Sequence, residues 1–313
     1  MIRFICAQPA TLYYAWQVEV MLYNFKKMGI DLNLVDVVGQ IENDVPKEWK
    51  LLKENYNARF SFYKDTRKYK KYIYSIRPNL LKQHFKLYPE LKNQIIFYHD
   101  CDIIFSKSID WTQFEDGDIW YGSDTRWYLS YDFIIQKDKD VFDVMCNTID
   151  INPQIVIDNN EHTIGAQYIL KGVDSEFWEK VEFDSIKLFK NIKSFNDKKI
   201  KENIKYDGIK YWMADMWSLL WNIWKSGYNT KTHTELRFAL ASASIDKYDK
   251  CNIIHNSNIT QENKEGLFDK SKFQNKLPYN KKLKINKTTV SKKYYEWVEK
   301  TAKNTVLNNS SII

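Results

Sequence analysis

The sequence is poor in the residues that build several common sites. Its four cysteines, Cys6, Cys101, Cys146 and Cys251, lie far apart and form no CxxC pair. That argues against a zinc ribbon or a disulfide framework and fits a reducing cytosol. Glycine is scarce as well: nine in 313 residues, in neither a GxGxxG nor a GxxxxGK arrangement. A glycine-rich phosphate cradle is therefore not expected, and bound phosphates would need a metal or basic side chains. No stretch reaches the roughly 18–20 uninterrupted apolar residues of a membrane span. The opening "MIRFICAQPATLYY" lacks the long apolar segment of a secretion signal and reads as a first strand. The expectation is a cytoplasmic chain with no membrane partner.

What is present is ample core material. Hydrophobic residues make up 44% of the chain and aromatic residues 16%, enough for one large globular domain with or without an appendage. Eleven tryptophans and 21 tyrosines can fill an α/β core or form part of a binding surface. The net charge of +7 is unevenly spread. No acid occurs between Lys270 and Tyr295, where Lys270, Lys272, Lys276, Lys281, Lys282, Lys284, Lys287, Lys292 and Lys293 fall. A second basic cluster is "YKDTRKYKKY", 63–72. Such clusters are either solvated surface or an attraction for a polyanion, of which nucleic acid is the usual one.

Residues 2–8 read as a strand, followed by Tyr14, Val18, Leu22, Phe25 and Met28 at helical spacing, with Gly29 as a stop signal. Strands at 32–38 and 58–63 alternate with helices at 46–56 and 77–88, the last opened by Pro78. A strand at 95–99 follows. This β-α-β-α order implies a parallel sheet covered by helices, with ligands beyond the carboxyl ends of its strands. Further on the pattern becomes mixed. Strands are expected at 118–122, 131–135, 164–170 and 251–256, and helices at 139–149, 174–181 and 293–303. Met213, Trp217, Leu220, Trp221 and Trp224 make an apolar helical stripe that ends at Gly227. The division this suggests is a domain over 1–270, with halves 1–110 and 111–270, and a basic extension over 271–313.

"IIFYHDCDIIF" (95–105) carries the chemistry. An apolar strand ends in Asp100 and Asp102, whose spacing of two puts both carboxylates on one side of extended chain. Charges at such a place are costly unless a basic group, a cation or water meets them. A hard divalent cation held by one or two carboxylates plus substrate phosphates is the specific possibility. It would neutralise the charge that develops on a departing diphosphate. Arg77 and Lys82, near the start of the preceding helix, are candidates to hold phosphates. His99 points from the opposite strand face and reads as structural.

The same stretch resembles the DxD motif of nucleotide-sugar glycosyltransferases with the GT-A fold. "YYAWQVEVMLYNFKKMG" and "RPNLLKQHF", in order before it, are similar to the plant hydroxyproline O-arabinosyltransferases and peptidyl-serine galactosyltransferases over about residues 1–110. The likeness is looser through "TIGAQYIL", "MADMWSLLW" and "IIHNSN". It implies a Rossmann-like mixed sheet flanked by helices, with the Lys-rich segment as a C-terminal extension. It also implies a UDP-sugar donor, arabinose first and otherwise a hexose, and transfer with retention. Asp102 would bind the metal and Asp100 the metal or the ribose. His255 would supply a further ligand, which favours Mn²⁺ over Mg²⁺. Gln167 would lie near the anomeric carbon, Asp215 would contact acceptor or donor sugar, and Asp124 sugar hydroxyls. Two departures stand out: the plant enzymes carry a membrane anchor not seen here, and the middle residue of the motif is Cys101.

For the acceptor, a compact Lys/Asn/Ile-rich version of this family suggests a viral, phage or low-GC bacterial source, and the favoured expectation is a phage enzyme that glycosylates hydroxymethylated cytosine in double-stranded DNA. The basic clusters would then meet phosphates and the aromatics an extruded base. A protein or cell-surface glycan hydroxyl is the alternative, in which the basic segments are merely solvated and removal of 270–313 leaves donor turnover intact. A metal-dependent nucleotidyltransferase or nuclease is more remote, as is a non-catalytic nucleic-acid-binding module.

Overall fold

The computed structural model describes residues 2–115 and 117–307. Ten strands run in chain order: β1 Ile2–Pro9, β2 Val35–Ile41, β3 Arg59–Lys64, β4 Ile95–Tyr98, β5 Ile103–Phe105, β6 Trp120–Asp124, β7 Ile164–Lys171, β8 Thr230–Thr232, β9 Phe238–Leu240 and β10 Ile253–His255. The helices begin with α1 Leu12–Lys27, α2 Lys47–Asn55 and α3 Ile76–Leu87. Between β6 and β7 lie α4 Arg126–Leu129, α5 Tyr131–Lys137, α6 Lys139–Ile149 and α7 Pro153–Asp158. Then come α8 Ser175–Glu202, α9 Ala214–Lys225 and α10 Val290–Ala302. These elements belong to two compact units.

The unit formed by 2–64, 99–113 and 234–307 contains a parallel β3-β2-β1 run and a small β5-β10-β9 sheet. β1 and β2 are mostly apolar and buried along most of their length, and the charges they carry inward, Arg3 and Asp36, pair with each other at 2.8 Å. α1 docks on β5 through Asn24 and Phe25: the Asn24 amide accepts from Phe105 N at 2.7 Å and donates to Phe105 O at 3.0 Å. Phe25 stacks on Phe105, with ring centroids 4.6 Å apart. The Lys-rich segment after 270 is an integral part of this core. Phe273, Tyr279, Val290, Tyr294, Tyr295 and Trp297 are buried, and the lysines lie between them in sequence. The wholly buried Glu19 of α1 accepts from Tyr279 Oη, Thr305 Oγ1 and Val306 N.

The unit formed by 65–98 and 114–233 carries a mixed run β4-β7-β6-β8. β7 is antiparallel to β4 and β6, and β8 is parallel to β6. α8 packs against α3, α6 and α9. Trp217, Leu220, Trp221 and Trp224 of α9 are buried, so this tryptophan stripe is core.

Three expectations need correction. Residues 131–135 are helical, because Ser130 Oγ caps the turn by accepting from Phe133 N at 3.1 Å. The helix expected at 174–181 runs on to Glu202, and Val181, Ser185, Leu188, Ile192 and Asn196 continue its buried stripe. Its polar, Lys-rich outer face masks that continuation in the sequence. Residues 32–34 form a 3₁₀ turn capped by Asp31, so the second strand begins only at Val35.

Candidate functional site

Asp100 and Asp102 directly follow β4, and the chain re-enters a sheet at β5. β10 runs antiparallel to β5 with His255 opposite Ile103, and Asn256 N donates to Asp102 O at 3.0 Å. This register brings His255 to the two acids. Its Nε2 lies 3.2 Å from Asp102 Oδ1 and 3.4 Å from Asp100 Oδ2. One ligand atom from each of the three residues falls within a 4.8 Å cluster, the sole such group of metal-ligating side chains among the described residues.

A fourth group completes the cluster and escaped the sequence analysis: Lys270 Nζ contacts Asp102 Oδ2 directly. Lys270 is the first lysine of the acid-free run, where it reads as one more surface charge; nothing local singles it out. Burial pushes the Asp102 carboxyl upward, but the charges of Lys270 and His255 outweigh it and hold the group well below the usual carboxylate range. Burial alone would lower the pKa of His255, whereas Asp102 and Asp100 raise it to about 9. For Lys270 the same opposition ends above the usual lysine range, again because of Asp102. Asp102 therefore stands ionised in a buried place, met by the two cations beside it.

His99 is different. It is buried against Phe25, and its Nδ1 lies 2.9 Å from Asp100 O. Burial lowers its pKa to about 4, so a neutral imidazole shapes the turn that presents Asp100. Cys101, also buried, has its thiol pushed up by desolvation and is not a thiolate ligand.

The other candidates lie in the 65–98/114–233 unit. Gln167, on β7, is wholly buried and accepts from Ser123 Oγ of β6 at 2.6 Å. Two irregularities set this pair: the β6–β7 register shifts between Gly122 and Ser123, and Ala166 takes a φ of +58°. A positive φ at alanine costs about 1 kcal/mol and persists only where its surroundings enforce it. Here they are tight, since a Cβ at Gly165 would come within 2.7 Å of Leu129 Cδ1 and Thr125 Oγ1. Asp215, in the first turn of α9, accepts from Tyr72 Oη at 2.9 Å, while its backbone N donates to the same hydroxyl at 2.8 Å. Arg77 Nη1 lies 3.4 Å from Asp215 Oδ2. Tyr72 is the second residue missed, because it sits inside a basic cluster that reads as surface. Arg67 of that cluster is likewise turned inward, onto Asp65 and the Tyr72 carbonyl. Lys82 is committed to Glu182 at 2.7 Å, and Asp124 is gripped by the fork of Arg126.

No family model and no curated protein matches this chain. Among solved structures it is similar to the WbbM bifunctional glycosyltransferase in its apo form. The TM-score is 0.50 at 10% identity, over 100% of this chain. The two share a fold. The chain spans about half the length of that protein, 52%. A second similar structure is apo mouse xyloside xylosyltransferase 1, with a TM-score of 0.40 at 11% identity, covering 82% of this chain and 98% of that one. The mixed α/β architecture expected from the sequence is thus present. No helix among the described residues is long and apolar enough to cross a membrane.

Proposed function

We propose that this protein is a metal-dependent glycosyltransferase that moves a sugar from a UDP-sugar to a hydroxyl acceptor. The observation that carries the reading is the convergence of Asp100, Asp102 and His255 within 4.8 Å, in a fold shared with a glycosyltransferase. The donor set fits a divalent cation. Two carboxylates and one imidazole suit Mn²⁺, with Mg²⁺ as the harder alternative. The direct contact of the Lys270 ammonium with Asp102 shows that this corner accepts positive charge. When bound, the cation would offset the negative charge of the departing UDP.

The chain's own residues have the remaining tasks. Asp102 and Asp100 would anchor the cation, and Asp100, the more exposed of the two, would alternatively contact the ribose. Lys270, displaced from Asp102, would turn to the diphosphate. In the other unit Arg77 is the candidate cation for a phosphate and Asp215 the candidate acceptor of a sugar hydroxyl; Tyr72 orients Asp215, and Asp215 in turn holds Arg77. Gln167 supports a retaining course as an amide that stabilises positive charge at the anomeric carbon without attacking it. Lys82 has the weaker claim to a phosphate, given its bond to Glu182. Resemblance over 1–110 makes UDP-arabinose and UDP-galactose the first donors to test.

UDP release from a donor panel with Mn²⁺ tests this reading. Turnover that disappears with a chelator and returns with Mn²⁺ is expected; no release from any donor would reject it. A double-stranded DNA acceptor bearing hydroxymethylcytosine is the second reading. It is favoured by a groove of about 450 Å³ lined by Tyr69, Lys190, Lys193, Lys198 and Lys201, with Asp197 as its acid. It requires duplex binding that weakens steeply with salt.

A further inference from the structure

We infer that the cleft around Trp127 is a subsite for a neutral carbohydrate. The cleft is a shallow, open depression of about 630 Å³ where β6 ends and α4 and α5 begin, in the unit that holds Gln167. Three of its properties point to the ligand class.

The first is an apolar platform. Trp127 is 58% exposed, whereas most tryptophans of the chain are buried in cores. Its ring meets Tyr128 at a steep 63°, with centroids 4.3 Å apart, so the contact is edge to face. An indole presented beside polar groups matches one side of a pyranose, which offers a row of C–H bonds to the electron-rich ring face.

The second is the supply of acceptors. Asp124, Asp132 and Glu161 line the cleft against a single cation, Arg126, which leaves it acidic. Asp132 is held in place by Asn160, whose Nδ2 donates to it at 2.9 Å and whose Oδ1 accepts from Asp132 N at 3.1 Å. A carboxylate has about four acceptor sites, so such fixed acids can take further hydroxyl donors. Oriented carboxylates next to an aromatic platform suit a polyhydroxyl ligand.

The third is what the cleft disfavours. The guanidinium of Arg126 is committed on both sides, to Asp124 at 2.8 and 3.1 Å and to Glu161 at 2.6 Å. No other basic side chain lines the cleft, so a phosphate would meet net negative charge. A metal is not favoured either, because these acids do not converge as Asp100, Asp102 and His255 do. A neutral sugar is the class left.

The role of such a ligand follows from β6. Ser123 reaches inward to Gln167, and Asp124, next in the chain, lines the cleft. A sugar seated on Trp127 is thereby placed as the acceptor, or as the next residue of an acceptor glycan. That role rests on the proposed transferase activity; the binding itself does not.

Saturation-transfer NMR on the full-length protein, without donor or metal, tests the subsite. The probes are lactose, maltose, cellobiose and mannobiose, with a short DNA duplex as the competing class. At least one disaccharide should show saturation at its ring C–H protons, unchanged between about 0.05 and 0.3 M salt. Trp127→Ala should abolish it and Trp127→Phe, which keeps an aromatic face, should retain most of it. Asp132→Asn should weaken it by roughly tenfold, the loss of one charged hydrogen bond. Saturation unaffected by Trp127→Ala, saturation by none of the four sugars, or duplex binding that depends on Trp127 would each overturn the inference. Asp102→Asn separates this claim from the transferase reading: UDP release should vanish while sugar saturation persists. A wild-type protein that binds a disaccharide through Trp127 yet turns over no nucleotide-sugar would reject the transferase and uphold the subsite.

Discussion

In the unit that holds Asp100, Asp102 and His255, the site is made of charge. A buried acid, Asp102, and a half-buried one, Asp100, lie beside an imidazole and an ammonium, and backbone geometry around them is ordinary strand and turn. In the unit that holds Gln167, the side chains that meet, Ser123 and Gln167, are neutral, and the unusual feature is the backbone itself. There a register shift, a left-handed alanine and a glycine with no room for a methyl group fix where the amide sits. The first arrangement is sensitive to the loss of a charge, and the second to the gain of an atom.

Substitutions that exchange these sensitivities sharpen the contrast. Asp102→Asn keeps the shape and removes the charge. UDP release is expected to fall by about a thousandfold, since several kcal/mol of stabilisation of the leaving group depend on the bound cation. Circular dichroism of the variant should remain that of the native fold, and turnover within a few-fold of wild type would break the comparison. Gly165→Ala does the opposite, adding one carbon and no charge. It should lower stability by about 1–3 kcal/mol in thermal or denaturant unfolding, because Thr125 and Leu129 must give way. An unchanged midpoint would mean that the β6–β7 corner yields more readily than its contacts indicate.

The smallest effect concerns Lys270. Lys270→Met preserves length and removes the ammonium that occupies Asp102. Calorimetry should show Mn²⁺ binding to the nucleotide-free protein tightened by roughly tenfold, as one competitor is removed. Weaker binding would show instead that Lys270 helps to build the cation site.

The same contrast explains what could be read from the sequence. Asp100 and Asp102 are legible because two acids between apolar strands violate the local hydrophobic pattern. The β-α-β-α start is legible because its periodicities are clean, and α6 and α10 fall at the expected places. His255 was reached through resemblance, since it needs the antiparallel pairing of β10 with β5 to meet its partners. Lys270 and Tyr72 were not reached at all. Each sits in a basic stretch, and only tertiary structure shows that one lysine and one tyrosine of those stretches face inward to an acid. The strand expected at 131–135 is a helix, Tyr131–Lys137, whose local sign in the sequence is one capping residue, Ser130.

Glu19 bears on the order in which the molecule can assemble. Its carboxylate takes hydrogen bonds from partners 260 to 287 positions further along the chain. On the ribosome, where a chain emerges at about 5–20 residues per second, α1 must wait for at least 260 further residues before those donors exist. A helix made early is therefore completed by a segment made much later, and the ligand set around Asp102 cannot close before Lys270 has followed it 168 positions on.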